Sequence, residues 1–160
     1  MIEIEKTFLV KNIPDLTSFK QIKIKQGYIS SPPSPLRIRQ KGDVFELTKK
    51  IPLKENDYSS NEEINILLTE YEFKKLWTQV EKSLEKTRYC IDIGKNLIAE
   101  LDVFEGDLSG LVFVEVEFPS QEIMESFIPL EWFGKDITQE SFSANSFLAG
   151  KSFNQIEKLI

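Results

Sequence analysis

The feature that most constrains the fold is a repeated alternation of apolar and polar residues with a period of two. Successive side chains of a β-strand point to opposite faces, so this alternation is typical of strands with one apolar face. Seven or eight such runs are visible, at residues 2–10, 22–29, 36–41, 44–50, 62–68, 86–93, 97–104 and 111–118. The sequence therefore predicts a sheet of about eight strands.

Helices are predicted between and after these strands. Residues 69–85 begin with a capping box and continue with an apolar stripe at helical spacing. Shorter helices are expected over about 120–127 and from Ser152 onward, and residues 139–149 are compatible with a further helix. The predicted fold class is therefore α+β, with helices packed against a sheet.

Composition limits the chemistry that the chain can perform. The 160 residues are 41% hydrophobic, which suffices for one domain over residues 1–160 without disulfides or a structural metal. There is no histidine and a single cysteine, Cys90, which excludes Ser-His-Asp and Cys-His catalysis and histidine-ligated zinc. Carboxylates, lysine, arginine and tyrosine remain as the reactive groups.

The charge balance bears on the kind of ligand that the protein binds, and the hydropathy pattern bears on its cellular location. The net charge is −6 and the pI is about 4.9, which argues against a nucleic-acid surface but not against a small anion held inside. The sequence shows no secretory signal and no run of about 18 apolar residues. We therefore expect a cytoplasmic protein that does not enter a membrane.

The polar faces of the predicted strands carry charges of the same sign two residues apart. The pairs are Glu3/Glu5, Arg37/Arg39, Lys86/Arg88, Glu100/Asp102 and Glu115/Glu117. Any one such strand is explained most simply by a solvent-facing sheet surface. Like charges at this spacing repel, however, so the recurring pairs require opposite charges between the strands. They favour a closed barrel of about eight strands with a charged interior and apolar faces packed outward.

A charged interior of this kind suits a polyanion bound together with divalent cations. Arginine makes bidentate contacts to phosphate oxygens. Carboxylates bind Mg²⁺ or Mn²⁺, which prefer oxygen ligands and are commonly shared with substrate phosphates. The pattern therefore predicts a metal and polyphosphate site inside the barrel.

Taken in order along the chain, the motifs resemble the CYTH or triphosphate tunnel metalloenzyme superfamily. This superfamily includes inorganic, thiamine and fungal-type RNA triphosphatases and class IV adenylyl cyclases. The matching segments are EIEKTFLV, LRIRQKGDVFELTKK, EEINI, KTRY, AELDVFEGDLSGLVFVEVEF and FGKDITQESFSANSFLA. The resemblance implies an eight-stranded antiparallel β-barrel tunnel that hydrolyses a small-molecule triphosphate with Mg²⁺ or Mn²⁺, and it makes a homodimer a reasonable expectation.

The resemblance also implies roles for individual residues. The implied metal ligands are Glu3, Glu5, Glu63, Asp102, Glu115 and Glu117. The implied substrate-binding residues are Arg37, Arg39, Lys50, Lys86 and Arg88. The implied catalytic residues are Glu63, Glu115 and Lys86. Glu46 and Glu100 are expected to line the tunnel without contacting a metal.

Two positions depart from the family pattern. Thr7 stands where the ExExK signature has its lysine, and Lys6 lies on the opposite strand face. Asn65 stands where the central ExE pair has its second carboxylate, so it can offer an oxygen but no charge. Three hypotheses stay open: a metal-dependent triphosphatase, a class IV-type adenylyl cyclase, and a catalytically weakened module that binds polyphosphate or nucleotide.

Overall fold

Nine strands and four short helices make up the regular structure of the described residues, which are 2–30, 35–55 and 57–160 of a computed structural model. The strands are β1 Ile2–Val10, β2 Lys20–Ser30, β3 Leu36–Lys41, β4 Val44–Pro52, β5 Ser60–Leu68, β6 Lys82–Asp92, β7 Ile98–Phe104, β8 Val112–Glu117 and β9 Phe133–Asp136. The helices are α1 Glu70–Trp77, α2 Gln121–Glu125, α3 Asn145–Leu148 and α4 Phe153–Glu157. Short 3₁₀ turns lie at Gly106–Leu108 and Ser141–Ser143.

Eight of these strands form a closed antiparallel barrel. Their order around the ring is β1-β5-β4-β3-β2-β6-β7-β8, and β8 pairs with β1 to complete it. The closing strand is β1, because its residues 2–4 pair with β5 and its residues 5–9 pair with β8. The predicted fold class, an α+β protein with a closed eight-stranded barrel, is confirmed.

The ninth strand lies outside the ring and was not predicted. β9 adds to β1 through the pairs Phe8↔Asp136 and Val10↔Phe133. At Gly134 a Cβ atom would lie 2.9 Å from the backbone oxygen of Leu9, so the close approach of the two strands requires glycine. A strand of four residues is too short to show a period of two in the sequence.

The predicted helix over residues 69–85 is too long. The capping box of Thr69 and Glu72 is present, but α1 ends at Trp77 and β6 begins at Lys82. Leu84 belongs to β6, opposite Gln26 of β2. The spacing of Leu84 matches the apolar stripe of the predicted helix, but Leu84 is not part of that helix. Residues 139–149 hold a 3₁₀ turn and α3 instead of one continuous helix.

Two apolar clusters cover the barrel wall. The outer cluster includes Phe8, Val114, Val116 and Phe133, and it packs the outward faces of β1 and β8 against α2 and β9. The end cluster is Tyr28, Leu84, Phe104, Leu108, Leu111, Phe113, Ile137, Phe142, Leu148, Ala149 and Ile156. Apolar side chains were expected to pack outward only. The end cluster shows that the inward faces also become apolar at one end of the barrel, where the carboxy-terminal segment packs.

Gly27 allows α1 and the following turn to pack on β2. A Cβ atom there would lie 2.6 and 2.7 Å from the two methyl carbons of Val80 and 3.2 Å from Trp77. We expect Gly27→Ala to lower the free energy of unfolding by about 1–3 kcal/mol through overpacking. Urea unfolding measures this loss, and a Gly27→Ala/Val80→Ala double variant should recover part of it. Equal stability of Gly27→Ala and the unmodified protein would contradict the prediction.

Within the described residues, no helix is both long enough and apolar enough to cross a membrane.

Candidate active site in the barrel interior

A charged cavity of about 250 Å³ lies inside the barrel. Its wall consists of the inward faces of the strands, as the period of two dictates. The charged residues that line it are Glu3, Glu5, Arg37, Arg39, Lys41, Lys50, Glu63, Lys86, Arg88, Glu115 and Glu117. Six of these side chains are cationic and five are anionic, and the cations Arg39, Lys86 and Arg88 are paired with the further carboxylates Glu46, Glu100 and Asp102.

The carboxylates of β1 and β8 lie side by side. Glu5 is directly opposite Glu117 in the strand register, and Thr7 is opposite Glu115. The ammonium of Lys50 holds the carboxylates of β1 and β5 together: Nζ lies 2.5 Å from Glu3 Oε2, 3.5 Å from Glu5 Oε1 and 3.4 Å from Glu63 Oε2.

This crowding changes the acidity of the carboxylates in opposite directions. Burial, together with the charges of Glu3, Glu115 and Glu117, raises the pKa of Glu5 to about 7 despite the attraction of Lys50. Burial also raises the pKa of Glu117. Burial acts in the same direction on Glu115, but Lys86 and Arg88 outweigh it and lower that pKa to about 2. On the β1 side of the cavity Lys50 alone faces several carboxylates, whereas on the β6 side Lys86 and Arg88 together face Glu115.

Arg88 lies at the centre of a buried ionic network on β6, β7 and β8. Its Nη2 donates to Asp102 Oδ2 at 2.7 Å and to Glu115 Oε2 at 2.5 Å, and its Nε donates to Asp102 Oδ1 at 2.7 Å. Arg88 also contacts Glu100. Lys86 bonds to the same Asp102 and donates to Asn145 Oδ1 at 3.1 Å.

Asp102 lies on the inward face of β7, opposite Arg88, and is covered by the cations that it binds. It is fully buried, and its two oxygens accept from Lys86 and Arg88. It is not among the residues that line the cavity, unlike the other five residues implied as metal ligands. In this arrangement Asp102 orients two cations.

The two arginines of β3 donate hydrogen bonds to side chains of the neighbouring strand β4. Arg39 donates from Nε at 3.1 Å and from Nη2 at 2.8 Å to Glu46 Oε2. Arg37 Nη2 donates to Thr48 Oγ1 at 3.2 Å. Glu46 and Glu100, which were expected to line the tunnel, bind arginines and are not among the residues that line the cavity.

Lys6 does not enter the cavity. The register between β1 and β8 is uninterrupted from Glu5 to Leu9, so Lys6 keeps the outward direction and its Nζ lies 3.8 Å from Asp136 Oδ2. Thr7 lines the cavity at the place where the signature lysine was expected. The lysine missing at position 7 is therefore not replaced by its neighbour.

Sequence reasoning did not identify several neutral residues of the cavity. Gln26 and Tyr28 line it from β2, where Gln26 Nε2 donates to Tyr28 Oη at 2.9 Å and burial raises the pKa of Tyr28. Gln26 and Tyr28 are two residues apart in the predicted strand 22–29, and this spacing could have indicated that both side chains point to the same face. Residues 143–146 also line the cavity, and no local sequence pattern indicates that this distant segment packs there.

A closed antiparallel barrel with cations and carboxylates facing one another in its interior defines a class of proteins that bind small, highly charged ligands in the lumen. The CYTH domain family model matches residues 1–148, and the chain belongs to the CYTH domain family. The resemblance inferred from the sequence motifs is confirmed.

Similar proteins include two inorganic triphosphatases. The one from Nitrosomonas europaea is 38% identical over 152 residues, which are 93% of this chain and 97% of that protein. The one from Acetivibrio thermocellus is 28% identical over 164 residues, covering 98% of each chain. A solved structure of an inorganic triphosphatase, 37% identical, has a TM-score of 0.67 and covers 92% of this chain and 93% of its own. An adenylyl cyclase-like protein from Hippeastrum, described as having a dominant triphosphatase activity, shares the fold at 16% identity with a TM-score of 0.53, over 89% of this chain and 93% of its own.

Proposed function

We propose that this protein is a metal-dependent triphosphatase that hydrolyses inorganic triphosphate inside the barrel. The observation that carries the proposal is the cavity itself, in which six cationic side chains face a group of carboxylates. Cationic side chains bind the oxygens of a linear polyphosphate. The carboxylates bind the divalent metal ions that accompany such a polyanion. Two inorganic triphosphatases that this chain matches over more than nine tenths of its length support the choice of substrate.

The phosphate chain binds to the cations of three strands. Arg37 and Arg39 extend from β3, Lys50 from β4, and Lys86 and Arg88 from β6, and all five line the cavity. Catalysis of phosphoryl transfer depends mainly on positioning the phosphate groups and on stabilising the negative charge of the transition state. These five cations can do both. Asp102 keeps Lys86 and Arg88 oriented toward the substrate.

The carboxylates fit a divalent metal ion such as Mg²⁺ or Mn²⁺. They offer only oxygen, the ligand that both ions prefer. Burial, and then the charges of Glu3, Glu115 and Glu117, raise the pKa of Glu5, and a cation bound there would offset both. In the arrangement seen, no three acidic groups of the described residues are placed to hold an ion together. The ammonium of Lys50 lies between Glu3, Glu5 and Glu63 and competes with an ion for the same oxygens.

Two groups of carboxylates divide the metal-binding role. Glu3, Glu5 and Glu117 would hold one ion beside the bound phosphates, and Glu63 with Glu115 would hold a second. A bound ion supplies Lewis acidity and lowers the pKa of a coordinated water. Lys86 lines the cavity from β6, where it can stabilise the charge that develops on the phosphates.

The test is release of phosphate from tripolyphosphate, ATP and thiamine triphosphate by the purified protein, each with Mg²⁺, Mn²⁺ or EDTA. We expect metal-dependent release of orthophosphate, with tripolyphosphate turned over fastest. A Lys6→Ala variant is the control, because Lys6 lies outside the cavity, and it should keep the full rate. Cyclic AMP as the product from ATP would show a cyclase, and binding without any product would show a polyphosphate-binding module.

Three further expectations stay predictions. We propose one domain over residues 1–160, of which Met1, residues 31–34 and Asn56 lie outside the described residues. We also propose a cytoplasmic location and assembly as a homodimer, which sedimentation equilibrium of the purified protein would detect.

A further inference from the structure

Three polar side chains from neighbouring strands form a row on the inward face of the barrel. Arg37 of β3 is directly opposite Thr48 of β4, and Thr48 is directly opposite Asn65 of β5. Such cross-strand partners share a face, and their Cβ atoms lie about 5 Å apart. Arg37 and Thr48 are buried, with exposed fractions of 8% and 1%, whereas Asn65 lies toward the open side.

Hydrogen bonds connect this row in one direction. Arg37 Nη2 donates to Thr48 Oγ1 at 3.2 Å, and Thr48 Oγ1 donates to Asn65 Oδ1 at 2.7 Å. Asn65 Nδ2 then donates to Glu63 Oε1 at 2.7 Å, and this oxygen lies 3.9 Å from Arg37 Nη2, which closes a ring.

The chemistry of each group fixes the direction of every bond in the ring. A guanidinium only donates and a carboxylate only accepts, so the threonine hydroxyl must accept from Arg37 and use its single hydrogen on Asn65. The amide of Asn65 accepts with its oxygen and donates with its nitrogen. Aspartate at position 65 could not donate to Glu63, and valine at position 48 could do neither.

The ring uses Nη2 of Arg37 and leaves Nε of the same guanidinium without a partner in the described part of the chain. Nε of Arg37 is buried and has no hydrogen-bond partner among the described residues, although the side chain lines the cavity. A buried N–H without a partner costs free energy unless a ligand accepts from it, and a charged donor favours an anion. The ring therefore holds the guanidinium by one edge and keeps Nε–H for a phosphate oxygen.

We propose that Thr48 and Asn65 are positioning residues that hold the Arg37 guanidinium in the orientation that binds the phosphate chain. This inference rests on the proposed function, because it takes triphosphate as the ligand. It gives Asn65 a role that depends on its amide, in place of the metal ligation that a carboxylate there would serve.

The experiment measures the affinity of Thr48→Val for tripolyphosphate by titration calorimetry in EDTA, and KM and kcat with Mg²⁺. We expect Kd and KM to rise about tenfold, which corresponds to about 1.4 kcal/mol, while kcat changes by less than about threefold. Thr48→Ser keeps the hydroxyl and should bind like the unmodified protein. Asn65→Leu, at an exposed position, should weaken binding in the same way.

Thr87→Val is the matched control. Thr87 is also a buried threonine, but its hydroxyl donates to Glu105 on the outer side of β6, away from the cavity. It should lower the thermal stability as much as Thr48→Val does and leave Kd unchanged. Equal weakening of binding by both valine variants, or an unchanged Kd in Thr48→Val and Asn65→Leu, would overturn the inference. Tripolyphosphate binding that weakens in Thr48→Val, in a protein that releases no phosphate, would support the inference and refute only the proposed function.

Discussion

A Glu5→Gln variant is expected to lose phosphate release by on the order of 100-fold and yet to be more stable than the unmodified protein at neutral pH. The activity is expected to fall because the amide would remove a charged oxygen ligand from the metal-binding group that we propose for Glu3, Glu5 and Glu117. The stability rises because the same carboxylate is buried among like charges. The two effects have one cause, which is the crowding of acidic side chains at the β1 side of the cavity.

The pH dependence of this stabilisation follows from the pKa of Glu5. Burial and the neighbouring carboxylates raise this pKa from its ordinary value of 4.5 to about 7 in the folded protein. Between these values the folded state keeps a proton that the unfolded chain has released, so the contribution of Glu5 to stability is greatest below pH 4.5 and is lost as the pH rises through about 7. Glutamine does not ionise. We therefore expect the variant to gain about 1–3 kcal/mol over the unmodified protein at about pH 8 and almost nothing at about pH 4.5.

Urea unfolding in EDTA at several pH values between about 4.5 and 8 measures the difference between the two proteins. Glu62→Gln is the control, because Glu62 is an exposed carboxylate on the outer face of β5 and should show no such trend. A Glu5→Gln protein that is less stable at the alkaline end of this range, or one that retains the full rate of phosphate release, would contradict the prediction.

Replacing Arg88 with leucine is expected to lower the free energy of unfolding by about 3–5 kcal/mol and to abolish phosphate release. Arg88 is 5% exposed and binds Glu100, Asp102 and Glu115. Removing one partner from a buried ionic network leaves charges without compensation, and this costs far more than the loss of a surface ion pair. Lys86 alone cannot neutralise the carboxylates that remain.

Urea unfolding with a fitted m-value tests this prediction. Lys23→Leu is the matched control, because Lys23 forms an ion pair with Glu105 at 2.5 Å but its side chain is 71% exposed. The control should lose less than about 1 kcal/mol. An equally small loss in Arg88→Leu would show that the network contributes little to stability.

Much of the barrel could be predicted because a period of two is visible without knowledge of tertiary structure. The runs 2–10 and 36–41 coincide with β1 and β3, and the other strands differ by a few residues at their ends. The start of β6 was missed because Leu84 also fits a helical stripe. β9 was missed because its pairing depends on the close approach of Gly134 to β1, a tertiary contact with no period of its own.

The charged interior could be predicted for the same reason, since alternation decides which side chains share a face. Lys6 and Thr7 illustrate this, because the strand pattern alone placed one outward and the other inward. The partners of Asp102 could not be predicted, because they depend on the register that sets Asp102 opposite Arg88 and lets both of its oxygens bind cations. Asn145 could not be placed either, because more than fifty residues separate it from Lys86, which it contacts.

The closure of the barrel by its first strand also has a consequence for synthesis of the chain. β1 is made before both of its barrel partners: residues 2–4 pair with β5, which ends at Leu68, but residues 5–9 pair with β8, which ends at Glu117. Residues 5–9 therefore wait for their partner while more than one hundred residues are made. Pairing over such sequence distances is slow, and an unpaired strand with Ile2, Ile4 and Phe8 on one face is prone to aggregate. Glu3 and Glu5 on its other face oppose that aggregation by repulsion between nascent chains. We therefore expect the acidic residues of β1 to oppose aggregation of the growing chain before the barrel closes.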